Sequence, residues 1–198
     1  MALSTVHQVH GREVIGIGVD RRGQGGPLGS TSLGRADAIM TATPGVAVMT
    51  LHADCLPIIL ADPGVPAVAA IHAGWRGTVL DAAPNAVRAM QEAFGTAPAD
   101  LQAGIGPSIG PERYQVGEEV VDAVRAAFGT PGGLIARAAD GSAYLDLWAA
   151  NRLALERAGV GQIEVAGICT ATRTDEFFSH RAERGHTGRF GAVIALAG

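Results

Sequence analysis

Short apolar runs alternate with longer amphipathic stretches along this chain, and that alternation confines it to a mixed α/β fold. Val14–Val19, Val46–Leu51, Pro57–Leu60, Ala67–Ile71, Leu101–Ile105, Ile163–Ile168 and Phe190–Leu196 read as strands. Between them, Thr78–Phe94 reads as a helix that Pro84 kinks or delays, because proline has no N–H to give its preceding turn. Glu118–Phe128 has helical spacing, with Val120, Val121, Val124 and Phe128 on one side and Gly129 as its stop. Asp146–Ala158 is a further helix. The Gly-rich stretch Arg21–Arg35 is too polar and flexible to pack and reads as a mobile loop. No interior linker or repeat divides the sequence, so residues 1–198 are expected to form a single domain.

Composition narrows the function classes. A 47% hydrophobic content is enough for a core, yet Gly, Pro, Asp, His or Arg interrupts every apolar run before it could cross a membrane. Residues 1–11 lack the basic start and apolar segment of a secretory signal. The 15 basic residues against 19 acidic ones give a net charge of −4, which argues against nucleic-acid binding. Every one of those cations is Arg, which excludes Schiff-base chemistry and a phosphate-loop lysine. Two cysteines, Cys55 and Cys169, suit a reducing, cytoplasmic setting rather than a disulfide scaffold.

Three residues, His10, Cys55 and His72, fall at the ends of expected strands, where side chains can converge on a cleft. Two imidazoles and a thiolate suit zinc, and three protein ligands leave a fourth position open, as in catalytic sites. Such a metal would deprotonate the thiol and activate water near neutral pH. The residues alone leave plainer readings open. Cys55 precedes the apolar run Leu56–Leu60 and could be a core thiol, while a lone His72 could be a hydrogen-bonded core group. Asp54 beside Cys55 is either a general base and ligand orienter or a turn residue. Arg76, between Gly74 and Gly77, is either an anion clamp or a stacked structural arginine. Gly104–Gly110 could cradle an anion with its amides, although a structural turn is the simpler expectation. Phe177–Arg181 sets two aromatics beside two cations.

Read together, these segments resemble the YfiH-type family, variously labelled multicopper polyphenol oxidoreductase, laccase-domain protein or purine nucleoside phosphorylase. The resemblance rests on Gln8-Val9-His10-Gly11, Arg35-Ala36-Asp37-Ala38, Ala53-Asp54-Cys55-Leu56-Pro57 and, most specifically, His72-Ala73-Gly74-Trp75-Arg76-Gly77. Ile105-Gly106-Pro107, Tyr114–Gly117, Asp146-Leu147 with Asn151, Cys169-Thr170, Phe177-Phe178-Ser179 with Arg181, and Gly188-Arg189 continue it across nearly the whole chain. It implies a mixed-sheet layered sandwich, with zinc (Zn2+) or copper (Cu2+) held by His10, Cys55 and His72. It further implies phosphorolysis of adenosine, inosine and methylthioadenosine, with adenosine deamination as a side activity.

On that resemblance Cys55, His72, Asp54 and Arg76 are the expected catalytic residues, with Arg76 and Arg181 binding phosphate. Asp54 is the expected proton carrier of the deamination, and a pocket acid is expected to serve the leaving base in phosphorolysis. The expected partners are small molecules, purine nucleosides and phosphate, with no nucleic acid and no membrane, and the chain is expected to be a monomer or weak homodimer. Copper-dependent phenol oxidation and a Cys55–His72 hydrolase acting on cell-wall precursors are the alternatives. Against that family pattern, the upstream Arg-Gly-Gly segment of relatives is expected to be missing, Ser108 stands where several have Cys, and His180 stands where many have Tyr.

Overall fold

The run Ala67–Ala73 is buried at every residue, so both of its faces must be covered, and the rest of the fold is arranged to do that. The computed structural model describes residues 2–21, 24, 33–129 and 133–197. Its strands are β1 (Ala2–Thr5), β2 (Val14–Gly16), β3 (Ala38–Thr41), β4 (Val46–His52), β5 (Leu56–Asp62) and β6 (Ala67–Ala73). They continue as β7 (Gln102–Ile105), β8 (Gln115–Val116), β9 (Ile135–Arg137), β10 (Ala143–Leu145), β11 (Gln162–Val165) and β12 (Phe190–Ala195). The helices are α1 (Trp75–Val79), α2 (Ala82–Phe94), α3 (Glu118–Phe128) and α4 (Leu147–Arg157).

Six strands form the central sheet in the order β11-β7-β5-β6-β3-β2, with parallel pairs at both edges and antiparallel pairs between them. A three-stranded sheet, β1-β4-β12, covers one face, and β8-β10-β9 forms a small third sheet. Strand periodicity divides β6 between two cores. Ala67, Ala69, Ile71 and Ala73 join Ala86, Val87 and Met90 of α2 on the helical side. Val68 and Ala70 meet Val46 and Val48 of β4 on the other. His72 shares the parity of Val68 and Ala70, so its ring faces the β1-β4-β12 sheet. The fold is the layered mixed α/β sandwich that the sequence implies.

Most expected elements appear close to their sequence-derived bounds, and α3 coincides with Glu118–Phe128. The helix expected from Thr78 is instead two pieces. Asp81 adopts a left-handed φ of 61° between them, and Pro84 lies in the first turn of α2, where no N–H is needed. Strands β1 and β3 and the small third sheet had no sequence-based counterpart. The Gly-rich stretch expected over Arg21–Arg35 lies largely outside the described residues.

Candidate active site

His72 stands near the end of β6 and Cys55 in the short link between β4 and β5. His10 does not lie at a strand end, as the sequence suggested; it sits in the loop between β1 and β2, with a left-handed φ of 60°. A carboxylate from the start of β3 explains that placement. Asp37 accepts the N–H groups of Val9 and Gly11 on Oδ2, at 3.1 and 2.6 Å, and that of His10 on Oδ1 at 2.9 Å. Its Oδ1 also accepts the N–H of His72 Nδ1 at 2.8 Å, which leaves Nε2 of that ring to face Cys55. The donor atoms of His10, Cys55 and His72 then lie within 4.8 Å of one another, with Cys55 Sγ 3.8 Å from His10 Nε2.

Electrostatics follow from this geometry. Burial pushes the Cys55 thiol up, but hydrogen bonds and positive charge from His10 and His72 outweigh it and bring the pKa to about 6. Burial lowers His72, yet Asp37 and the Cys55 thiolate overcome it and raise the imidazole to about 9. Burial raises Asp37 too, and the His72 bond together with the Gly11 and Val9 amides holds its carboxyl below the ordinary range. His52, with its ring 5.5 Å from His72, is lowered to about 3, first by burial and then by the charge on His72.

The donor set fits a metal of zinc type. One sulfur poised as thiolate and two imidazoles turned toward it match its borderline-soft preference, and a carboxylate already orients one ring. Local packing is built around the trio. A Cβ at Gly74 would meet Cys55 Sγ at 2.9 Å and His10 Cδ2 at 3.2 Å, so the turn after His72 needs glycine. A buried chain of hydrogen bonds secures that turn, from Asn151 Nδ2 to Thr78 Oγ1 at 2.9 Å and from Thr78 Oγ1 to the Gly74 carbonyl at 2.9 Å.

A cleft of about 540 Å³ opens over the trio, and Asp54, Arg76 and Arg181 line it as well. The Arg76 guanidinium lies 4.4 Å from the Trp75 ring, and that of Arg181 5.3 Å from the Tyr114 ring. Asp54, at a left-handed φ of 81°, accepts the Thr170 hydroxyl at 2.7 Å and the Arg181 N–H at 2.6 Å. It therefore fastens the segment that carries Arg181 to the residue before Cys55. Gly104–Gly110 is a structural turn: the amides of Gly106, Ser108, Ile109 and Gly110 donate to Pro57, Ile168, Asp54 and Cys169. Phe177 packs edge-on against Phe190 at 5.4 Å, while His180 reaches the cleft.

Sequence reasoning quoted Asp37 only within a motif and gave it no role. The signal was a carboxylate embedded in Ala36-Asp37-Ala38-Ile39, since a charge flanked by core residues needs partners. Tyr114 was likewise unassigned; it lines the cleft, and burial pushes its hydroxyl well above the ordinary range.

The family model described as multi-copper polyphenol oxidoreductase laccase matches residues 1–197. The chain belongs to this laccase-domain family. Among relatives of this laccase-domain protein, the purine nucleoside phosphorylase of Deinococcus radiodurans is 45% identical over 160 residues, covering 81% of this chain and 61% of the relative. The purine nucleoside phosphorylase YlmD of Geobacillus stearothermophilus is 39% identical over 190 residues, covering 94% and 69%. The crystal structure of that organism's YlmD superimposes with a TM-score of 0.92 at 36% identity, over 99% of this chain and 74% of the solved one. Bacillus licheniformis YfiH gives 0.90 at 33%, over 98% and 74%. This laccase-domain chain thus spans about three fifths of the Deinococcus relative and about three quarters of the solved structures. Among the described residues, no helix is long and apolar enough to cross a membrane.

Proposed function

We propose that the cleft is the active site of a metal-dependent purine nucleoside phosphorylase acting on adenosine, inosine and methylthioadenosine, with adenosine deamination as a side activity. The observation that carries this reading is the meeting, in one cleft, of a His–Cys–His donor set and the two guanidiniums of Arg76 and Arg181. His10 Nε2, Cys55 Sγ and His72 Nε2 would hold the ion, zinc in the first instance and copper as a possible occupant of the same trio. When bound, it would supply Lewis acidity.

Arg76 and Arg181 hold the phosphate as one of its oxygens bonds to the ribose anomeric carbon and the bond from that carbon to the base breaks. The stacked rings of Trp75 and Tyr114 keep the two guanidiniums in fixed directions. The departing purine takes the proton that the attacking phosphate gives up, and this reading assigns its relay to Asp54 on the cleft wall. Thr170 and Arg181 each occupy one of its oxygens and hold it facing the site. The likeness to the curated phosphorylases supports the substrate class, and two free cysteines fit a cytoplasmic setting.

Incubation of each nucleoside with phosphate, followed by analysis for free base, inosine and ribose 1-phosphate, tests the reading. Free base and ribose 1-phosphate should accumulate, and His72→Ala should lower the rate at least ~100-fold, more than loss of an outer-shell partner does. Full turnover by that variant would remove the site from the reaction. A metal-free hydrolase is the second reading, because Cys55, His72 and Asp37 stand in the order of a nucleophile–base–orienter triad. Hydrolysis that survives a chelator and stops with an iodoacetamide adduct on Cys55 would favour it.

A further inference from the structure

Asp37 is neither a metal donor nor a substrate contact in the reading above, yet its fully buried carboxylate accepts four hydrogen bonds at the site. We propose that Asp37 is the positioning residue of the site, an acceptor-only hub that turns His10 and His72 toward Cys55.

The backbone of Asp37 is held without help from its side chain. Its carbonyl accepts the His72 N–H at 2.7 Å and its own N–H donates to the Glu13 carbonyl at 3.0 Å. The next residue, Ala38, pairs with Ile71 in the sheet. The carboxylate is thus free to serve side-chain geometry, and all four of its bonds go to the two segments that carry His10 and His72. Three of them order consecutive amides, Val9 to Gly11, around the left-handed His10. A non-glycine residue resists that conformation, so the loop needs such an anchor. The fourth places the His72 proton on Nδ1 and leaves Nε2 facing the cleft.

Four donors on two oxygens match a carboxylate and nothing neutral of the same shape. In Asp37→Asn, one oxygen position becomes an NH2 donor. With the amide nitrogen at Oδ2, it confronts the Val9 and Gly11 N–H groups and the His10 loop loses its anchor. With the nitrogen at Oδ1, it confronts the His10 N–H and His72 Nδ1, and the His72 proton is driven onto Nε2. Either arrangement takes one imidazole out of register with Cys55.

The inference rests on the metal reading for one of its two tests. In the first, metal-stripped protein is titrated with Zn2+ against a chromophoric chelator. Asp37→Asn should weaken zinc by about 10–100-fold, the usual cost of removing a carboxylate that orients a ligand. Met90→Ala, which opens a cavity in the helical core away from the site, should lose thermal stability but keep wild-type affinity. Unchanged affinity in Asp37→Asn, or an equal loss in both variants, overturns the proposal. The second test uses only the zinc-free wild-type protein and so survives a variant that fails to fold. Proton–nitrogen correlation should find the His72 proton on Nδ1 and slow exchange at the Val9, His10 and Gly11 amides. A bare Nδ1, or three fast-exchanging amides, overturns the proposal. If wild-type protein binds no zinc, the metal reading falls, while this second test still decides the role of Asp37.

Discussion

Two buried imidazoles, on β4 and β6, face each other across the sandwich, and their surroundings send them in opposite directions. His52 hydrogen-bonds only neutral groups, and the one charge beside it is the like charge on His72: Nδ1 donates to the Cys55 carbonyl at 3.1 Å, and Nε2 accepts the Thr50 hydroxyl at 2.8 Å. Its pKa falls to about 3, because burial penalises a charge that nothing nearby repays. His72 meets a carboxylate on one side and a thiolate on the other, and its pKa climbs to about 9. Depth is nearly the same for both, so depth does not decide. The difference teaches that the fold keeps one ring as a neutral strut and the other as a proton holder, and that the proton holder is the one facing the cleft.

The sharpest way to break this contrast is the pH dependence of metal binding. Above a Cys55 pKa of about 6 the thiolate is already formed, so an incoming ion must expel a proton from His72. Zinc affinity should therefore rise nearly tenfold per pH unit from about 6 up to about 9, on the order of 10³ in all. Chelator competition at several pH values checks this. An affinity that does not change over that window would place no proton on His72.

His52 predicts the reverse sense for stability. Its folded pKa of about 3 lies below the ordinary histidine value of 6.5, so its neutral form favours folding above pH 6.5, and that contribution drains away as pH falls toward 3. His52→Leu should cost about 1–3 kcal/mol at neutral pH, because the Cys55 carbonyl and Thr50 hydroxyl lose a partner. As pH falls the deficit should shrink, and below about pH 5 the variant should become the more stable protein, at up to ~1.4 kcal/mol per pH unit. Urea unfolding of the zinc-free proteins at pH 7.5 and pH 4.5 reads the crossover. His72 acts the other way: with a folded pKa of about 9, its share is complete below 6.5 and lost as pH rises through 9. Cys55, lowered from 9.0 to about 6, gains over the same interval, so the pair leaves stability nearly level there. The smallest effect belongs to Thr50→Val, which removes one neutral bond to His52 and should cost about 1 kcal/mol by the same unfolding measurement, with zinc affinity unchanged.

How much of this was legible in the chain differs by region. Helix α3 could be read because its buried residues, Val120, Val121, Val124 and Phe128, recur on one helical face and Gly129 ends it. The interior strands β5 and β6 could be read as apolar runs of adequate length. Strand β3 could not: four residues are too few for a periodic signal, and its inner position comes from pairing with β6 and β2. Chemistry marked His10, Cys55 and His72 as candidates, but their arrangement depends on contacts with no local trace. The His10 loop follows Asp37, far along the chain, and the Asp54 side chain answers to Thr170 and Arg181 near the far end. Histidine identity alone could not separate His52 from His72, since contacts made only in the folded chain, burial and the His72 charge for one and Asp37 and Cys55 for the other, set their charge.

The three donors come from a loop, a link between strands and a strand of the buried sheet, and no two of them are neighbours in sequence. An ion seated among them would work as a clasp over the finished sandwich, ignored by any half-assembled chain. Its retention would then report whether the whole molecule is intact, and its departure would be an early sign of the layers parting.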